Sequence, residues 1–287
     1  MIVLSPECYP CFFRQADLAA LAHGASGSAR KAIASRVAGI LSGLPDEEVP
    51  ARVATLLHEA VREELGTEDP FRRVKEREFA RFGEIASRAE SHVRASADPL
   101  AAAVWMSAFG NIMDSGIIDG EVREEEAGRL VEEGRTREIP DRLREGILGA
   151  RTIGVLLDNA GEVAFDVPLL SRLRGKDRAV WIGVKGGPVI DDLTEAEARR
   201  LGLSAYGEVV SNGNRGVGTS LELCTREFRD RIAGSDLILS KGQANFETLF
   251  GHLRNAFFLF RCKCPVVSRA LGKPEGDLIV LDGREAA

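Results

Sequence analysis

The sequence has few aromatic residues, no long apolar segment and no excess of positive charge, and each shortage disfavours a class of function. Aromatic residues make up 6% of the 287 residues, which leaves no obvious stacking platform for a nucleobase or a flavin. Lysine and arginine total 38 against 44 aspartates and glutamates, a net charge of −6. That balance argues against nucleic acid or an anionic membrane as the main partner. The longest apolar runs are strand-sized, whereas a membrane-spanning helix needs ~20 apolar residues.

Other familiar signals are also missing. The first ten residues lack the charged-then-apolar arrangement of a signal peptide, so we expect a cytoplasmic protein. The sequence has no Gly-x-Ser-x-Gly elbow, which disfavours a serine hydrolase. The four histidines, His23, His58, His92 and His252, lack metal-ligand spacing, and we expect them at surface or packing positions.

The five cysteines are an odd number, which does not suit a disulfide framework. Cys8 and Cys11 form a Cys-x-x-Cys pair, and Cys262 and Cys264 form a tighter pair. These four thiols are together candidates for a structural zinc site. The alternative is that the N-terminal pair is simply reduced and that Cys262 or Cys264 packs against a sheet.

The pattern of apolar residues changes near residue 150. Residues 1–150 show helical spacing; Val53, Leu56 and Val61, for example, belong to one apolar stripe that ends before Gly66. In residues 151–287, short apolar runs alternate with helical segments, which is typical of a parallel sheet with helices on its faces. The sequence therefore predicts an α/β protein with a three-layer core and a mainly parallel sheet, preceded by an all-helical N-terminal portion. Those helices either form a separate domain or cover the sheet.

The predicted elements of the second portion have the following bounds. The strands are Thr152–Leu157, Ala179–Val184, Glu208–Val210, Asp236–Leu239, Ala256–Phe260 and Asp277–Leu281. The helices are Ala164–Leu173, Thr194–Leu201, Thr219–Ile232 and Gln243–Leu249.

Polar residues follow the first two predicted strands. Asp158 and Asn159 come after the first strand, and Asp191 and Asp192 come after the second. In a parallel sheet these ends meet at the edge where open α/β sheets bind ligands. Carboxylate and amide oxygens suit a hard divalent cation such as Mg²⁺ or Mn²⁺. Capping of the helix near Thr194 is the alternative role for Asp192.

Three later strand ends carry residues that suit a phosphate group. Ser211 opens a glycine-rich loop, which is either a cradle for phosphate oxygens or an ordinary loop before a helix. Lys241 and Gly242 follow the fourth strand, and Lys263 follows the fifth. Ammonium groups at these ends are placed to neutralise a phosphate. Metal ligands on two strand ends and cations on two more predict a phosphoester site.

Longer motifs resemble one family, the domain-of-unknown-function-89 proteins, or damage-control phosphatases. The matching segments are DNAGE at 158–162, PVIDDLTEAEA at 188–198, LILSKGQANFETL at 237–249, FLFRCKCP at 258–265, CYPCFFRQ at 8–15, EDPFRRVK at 68–75 and FGNIMDSG at 109–116. They extend over nearly the whole chain, and the N-terminal Cys-x-x-Cys resembles the prokaryotic branch of the family.

The resemblance implies a helical N-terminal portion on a three-layer α/β core. It also implies a metal-dependent phosphatase that acts on small phosphorylated metabolites, including damaged or surplus sugar phosphates. Asp158, Asn159 and Asp192 match the ligands of one divalent metal ion, which is Mg²⁺, Mn²⁺, Co²⁺ or Ni²⁺. Lys241 and Asn245 match a substrate-binding segment.

We expect Asp158, Asp192 and Lys241 to be catalytic, with Lys241 spreading the growing negative charge. The expected substrate-binding residues are Asn159, Ser211, Lys241, Gly242, Asn245 and Lys263. The nucleophile is either a metal-activated water or a carboxylate such as Asp158 or Asp192. Two other functions stay open: a carboxyl or small-molecule methyltransferase, and a non-catalytic metal-binding protein built on the cysteines. The first strand end lacks the Gly-x-Gly expected of a methyltransferase.

Overall fold

The computed structural model describes residues 2–45, 47–110 and 137–286. The motif at 109–116 therefore lies largely outside the described residues. Among the helices that the structure describes, none is long and apolar enough to cross a membrane.

The first part of the described chain is helical, as predicted. Its helices are α1 Cys8–His23, α2 Gly27–Leu41, α3 Pro50–Leu65, α4 Arg72–Arg94, α5 Pro99–Gly110 and α6 Asp141–Gly149. Ser26 caps α2 by accepting a hydrogen bond from the Ala29 N–H. Gly66 ends α3 in the left-handed conformation. Leu56 was expected in the buried stripe of α3, but it lies on the edge of that stripe and is exposed.

The second part forms one six-stranded sheet of order β3-β2-β1-β4-β5-β6. The strands are β1 Thr152–Leu156, β2 Ala179–Val184, β3 Glu208–Ser211, β4 Leu237–Lys241, β5 Ala256–Arg261 and β6 Leu278–Asp282. Neighbouring strands pair in parallel, except that β6 is antiparallel to β5. The predicted fold class is confirmed. The strand order reverses between β1 and β4, which is where ligands bind in open α/β sheets.

The helices of the second part connect these strands. They are α7 Val163–Leu173, α8 Glu195–Arg200, α9 Arg226–Ala233, α10 Gln243–Leu249 and α11 Pro265–Leu271. The predicted helix Thr219–Ile232 was wrong at its start, because α9 begins only at Arg226. Thr225 caps α9 by accepting a hydrogen bond from the Phe228 N–H at 3.3 Å.

Strand side chains alternate between two helical layers, as the period of two requires. Ile153 and Val155 of β1 share a core with α4, α5, α6 and α7. Leu156 points the other way and packs with Phe228 of α9 and Phe246 of α10. The sheet is therefore the middle layer of three.

Helices α1, α2 and α3 have a core cluster of their own. Phe12, Ile33 and Leu57 pack together there with Val189 and Val217, which follow β2 and β3. These helices therefore contact the loops at the carboxyl edge of the sheet. The helices α4, α5 and α6 instead share the core of the sheet, and the domain boundary near residue 150 stays a prediction.

Candidate functional site

Main-chain hydrogen bonds bring the ends of β1 and β2 together. The Leu193 N–H donates to the Asp158 carbonyl at 2.9 Å, and the Ala160 N–H donates to the Asp191 carbonyl at 2.8 Å. Asn159 and Asp192 face each other in an isolated bridge between the same two segments. The polar residues of the two strand ends thus lie side by side, as the sequence predicted.

Strained backbone contributes to this arrangement. Ile190 has φ +44°, a left-handed conformation that a β-branched side chain rarely adopts. It immediately precedes Asp191 and Asp192, in the turn after β2 whose main chain is hydrogen-bonded to the segment after β1. Strained backbone of this kind persists where the surrounding contacts hold it in place, and it is often found at functional sites.

Five carboxylates and three ammonium groups form a cluster at these strand ends. We call it the carboxylate cluster; its members are Asp158, Glu162, Asp166, Asp191, Asp192, Lys185, Lys241 and Lys263. All except Lys263 are at most 6% exposed. The formal charge of the cluster is two negative, and burial of an uncompensated charge is strongly unfavourable. Burial and the negative charges of Glu162 and Asp192 raise the pKa of Asp158 well above its ordinary value.

Lys241 lies inside this cluster and contacts other protein groups. Its Nζ donates to Glu162 at 3.1 Å and to Asp166 at 2.8 Å, and Ser107 donates to the same oxygen of Asp166. Burial alone lowers the pKa of Lys241, but the charges of Asp166 and Glu162 outweigh burial and raise it. The contact of Lys241 with a phosphate stays a prediction.

Lys185 is a site residue for which we predicted no role from the sequence. Its Nζ donates to the Gly216 carbonyl at 2.8 Å and to the Gly218 carbonyl, and lies 3.2 Å from the Asp192 carboxylate. Lys185 therefore ties the end of β2 to the glycine-rich loop after β3 and orients Asp192. A lysine directly after a buried strand was the available signal.

Two predicted substrate-binding residues make hydrogen bonds within or between the strand-end loops. Asn245 donates to the Lys241 carbonyl at 2.7 Å and accepts from the Thr219 hydroxyl at 2.7 Å. Ser211 accepts from the Gly213 N–H at 3.1 Å. In this structure both side chains position the strand-end loops.

Gly242 lets the Asp158 side chain lie close to the main chain. Its φ is +81°, and a Cβ at this position would lie 1.8 Å from the Asp158 carboxylate oxygen. The Asp158 side chain therefore packs directly against the Gly242 backbone, where no other residue fits.

A cavity of about 280 Å³ opens beside the carboxylate cluster. Its carboxylate wall consists of Asp158, Asn159, Asp191, Asp192 and Lys263. Its helical wall comes from α1, α3, α10 and two adjoining loops, with Phe12, Gln15, Leu18, Ala51, Ala54, His58, Phe71, Val217, Gln243 and Glu247. The volume suits a small ligand, since pockets for drug-sized molecules usually begin near 300 Å³.

Comparison with known proteins identifies the family. The family model described as "Damage-control phosphatase ARMT1-like domain" matches residues 4–279. The chain belongs to this family. A damage-control phosphatase of Pyrococcus horikoshii is 33% identical over 242 residues, which is 82% of each chain. Another, from Archaeoglobus fulgidus, is 34% identical over 237 residues, 80% of this chain and 82% of that one.

A solved structure gives the same fold. The crystal structure of a DUF89 family protein from Pyrococcus horikoshii matches with a TM-score of 0.85 at 29% identity. The match covers 99% of this chain and 100% of the other. The names of the relatives support a phosphatase role for this member of the damage-control phosphatase family.

The donor chemistry of the carboxylate wall fits a divalent cation. Asp158 and Asp192 offer carboxylate oxygens and Asn159 an amide oxygen, which are the ligands that Mg²⁺ and Mn²⁺ prefer. Two positive charges would balance the formal charge of the carboxylate cluster. No group of three or more His, Cys, Asp or Glu side chains that could hold a metal occurs among the described residues; the predicted ligand set contains two.

Within the described part of the chain, no cysteine forms a disulfide. Cys8, Cys11 and Cys264 line the cavity. Cys262 is buried in the core cluster beneath it. Burial raises the pKa values of Cys8, Cys262 and Cys264, which keeps these thiols protonated at neutral pH in the absence of a metal. The zinc site stays a prediction.

His58 lies at a packing position, one of the two kinds of position expected for the histidines, and is 4% exposed. It also lines the cavity, which the sequence did not predict. Its Nε2 has no hydrogen-bond partner among the described residues. Burial and the positive charge of Arg62 lower the pKa of His58 to about 4, so the imidazole is neutral at pH 7. Its position four residues after Ala54, on the buried face of α3, was the available signal.

Proposed function

We propose that this protein is a divalent-metal-dependent phosphatase that hydrolyses phosphomonoesters of small metabolites. The substrate is of the sugar-phosphate type, and the role is the removal of damaged or surplus phosphates. The observation that carries the proposal is the buried carboxylate cluster, whose excess negative charge lies beside a small cavity that Lys263 also lines. The names of the family relatives support the same chemistry.

In this proposal Asp158, Asn159 and Asp192 hold one metal ion, which is Mg²⁺, Mn²⁺, Co²⁺ or Ni²⁺. When bound, the ion supplies positive charge that polarises the phosphoryl group. Lys185 fixes the orientation of Asp192, and Gly242 provides the space for Asp158. Both act as positioning residues.

The lysines of the cluster have different roles in the proposal. Lys263 lines the cavity, and its positive charge acts on the carboxyl groups of Asp158 and Glu162, whose pKa values burial raises. It therefore attracts the phosphate dianion to the carboxylate wall. Lys241 pairs with Glu162 and Asp166, which offsets part of their negative charge and so reduces their repulsion of the substrate.

The test is hydrolysis of p-nitrophenyl phosphate by protein stripped with a chelator and resupplied with each metal in turn. Activity is expected to return with metal and to fall at least about 100-fold in Asp192→Asn, since loss of even an outer-shell partner costs 10- to 100-fold. The matched control is Asp177→Asn, because Asp177 is exposed and lies at the other end of β2. Full activity in Asp192→Asn contradicts the proposed site.

Measuring the bound metal in these variants distinguishes the phosphatase proposal from the alternative of a non-catalytic protein that binds metal through its cysteines. That alternative has one supporting observation, since three of the four cysteines line the cavity. It predicts bound zinc that survives Asp192→Asn and disappears when Cys8 and Cys11 are changed to serine. The phosphatase proposal predicts that the activating metal is lost in Asp192→Asn and retained when Cys8 and Cys11 are changed to serine.

A further inference from the structure

The polar side chains of the helical wall differ from their apolar surroundings. Phe12 and Phe71 are buried there beside Ala54 and Val217. Among these apolar groups lie Gln15 from α1, His58 from α3 and Glu247 from α10. Pockets that recognise small molecules combine a mainly apolar lining with a few polar groups that fix orientation.

Two of these polar side chains have a buried atom without a hydrogen-bond partner among the described residues. The Gln15 Oε1 and the His58 Nε2 are buried and have no hydrogen-bond partner among the described residues. The other end of the Gln15 amide donates to the Cys11 sulfur at 3.3 Å. Because an unsatisfied buried polar group destabilises a protein, two of them on the wall of one cavity need an explanation.

We infer that Gln15 and His58 are specificity-determining residues that hydrogen-bond hydroxyl groups on the organic part of the substrate. This inference rests on the proposed phosphatase function. The phosphate binds at the carboxylate wall, and the remainder of the molecule extends along the helical wall. The Gln15 oxygen can only accept a hydrogen bond, so it requires a donor such as a hydroxyl group.

The helical wall has a third polar side chain. Glu247 lines this wall, and its carboxyl accepts a hydrogen bond from Gln243 at 2.9 Å. A hydroxylated phosphomonoester such as a sugar or polyol phosphate fits both walls, since its phosphate can bind at the carboxylate wall and its hydroxyl groups can hydrogen-bond the polar groups of the helical wall.

The experiment compares two kinds of substrate in the metal-loaded enzyme. p-Nitrophenyl phosphate has no hydroxyl group on its organic part, whereas a panel of pentose and hexose phosphates has several. His58→Leu and Gln15→Leu are each expected to lower kcat/KM about tenfold on the best sugar phosphate, mainly through KM. Hydrolysis of the aryl phosphate is expected to change less than about twofold, because that substrate makes neither hydrogen bond.

Conservative and control variants exclude a structural role. His58→Gln retains a hydrogen-bonding group and should recover part of the loss, and His252→Leu, at an exposed histidine, should have no effect. The melting temperature should not fall in His58→Leu, since leucine removes an unpartnered polar group. An equal fall on both kinds of substrate, or no fall on any sugar phosphate, overturns the inference.

The two proposals fail in different ways. If the metal-loaded wild-type enzyme hydrolyses neither the aryl phosphate nor any sugar phosphate, the proposed function fails and this inference fails with it. If the aryl phosphate is hydrolysed and the Gln15 and His58 variants act on sugar phosphates like the wild type, only the inference fails.

Discussion

The two walls of the cavity surround their polar groups differently. On the carboxylate wall, Asp192 is oriented by Lys185, and the segments that carry Asp158 and Asp191 are tied by main-chain hydrogen bonds. On the helical wall, Gln15 and His58 present buried polar atoms that no described residue satisfies. This difference agrees with our two proposals, in which the strand ends carry the chemistry and the helices select the substrate.

The two walls also belong to different parts of the fold. Strand ends are held rigidly by the sheet ladder, so residues placed there keep their geometry. The helices α1 and α3 instead belong to a core cluster that includes Val189 and Val217 from the loops after β2 and β3. Three substitutions, taken in decreasing order of their predicted effect, test the comparison.

Lys241→Met should cause the largest loss of stability. It leaves Glu162 and Asp166 buried without their cation, and breaking a buried ion pair in this way costs about 3–5 kcal/mol. The measurement is the free energy of unfolding from urea titration. Adding Asp166→Asn to Lys241→Met should recover part of the loss, and Lys176→Met, at an exposed lysine, should be neutral. An unchanged stability in Lys241→Met would show that the carboxylate cluster is not held by these ion pairs.

Gly242→Ala should abolish activity with a smaller loss of stability. The new methyl group would overlap the Asp158 carboxylate, so this side chain has to move, and turnover should fall at least about 100-fold, as misplacement of reacting groups by about 1 Å does. The backbone strain should cost about 1–3 kcal/mol. The matched control is Gly251→Ala, which has a similar φ of +87° and open space around the new methyl group. Equal activity in the two variants would contradict the role of Gly242.

The sequence predicted the carboxylate wall better than the helical wall for a physical reason. Two apolar runs of strand length, each followed by acids, were enough to place Asp158 beside Asp192, because neighbouring parallel strands end at the same edge. The helical wall depends instead on how α1 and α3 pack over that edge. No local pattern shows which face of α3 meets a cavity, so His58 was assigned to the surface or to packing.

The predicted end of β4 was two residues too early, and this affected the interpretation of Lys241. β4 was predicted to end at Leu239, but it continues to Lys241, so this lysine is part of the sheet. The period of two then places Lys241 on the same face as Leu237 and Leu239, and α7 contributes to the core on that face. Glu162 just before α7 and Asp166 within it are four residues apart, which directs both carboxylates at the ammonium group.

Glu247→Gln should have the smallest effect on the free energy of unfolding, and this effect should depend on pH. Burial raises the pKa of Glu247 from 4.5 to about 7. Between these two values the folded protein retains a proton that the unfolded chain has lost, so the free energy of unfolding falls as pH rises. The slope is at most about 1.4 kcal/mol per pH unit, and the loss is complete above pH 7.

The comparison of wild type with Glu247→Gln isolates this contribution. His58 has a lowered pKa and gives the opposite slope below pH 6.5, but it is present in both proteins and cancels in the difference. The wild type should therefore lose stability relative to the variant between pH 5 and pH 7, whereas Glu227→Gln, at a glutamate that is 72% exposed, should follow the wild type. A difference that stays constant with pH would mean that Glu247 is already ionised at pH 5, and that the helical wall is more polar than its apolar lining indicates.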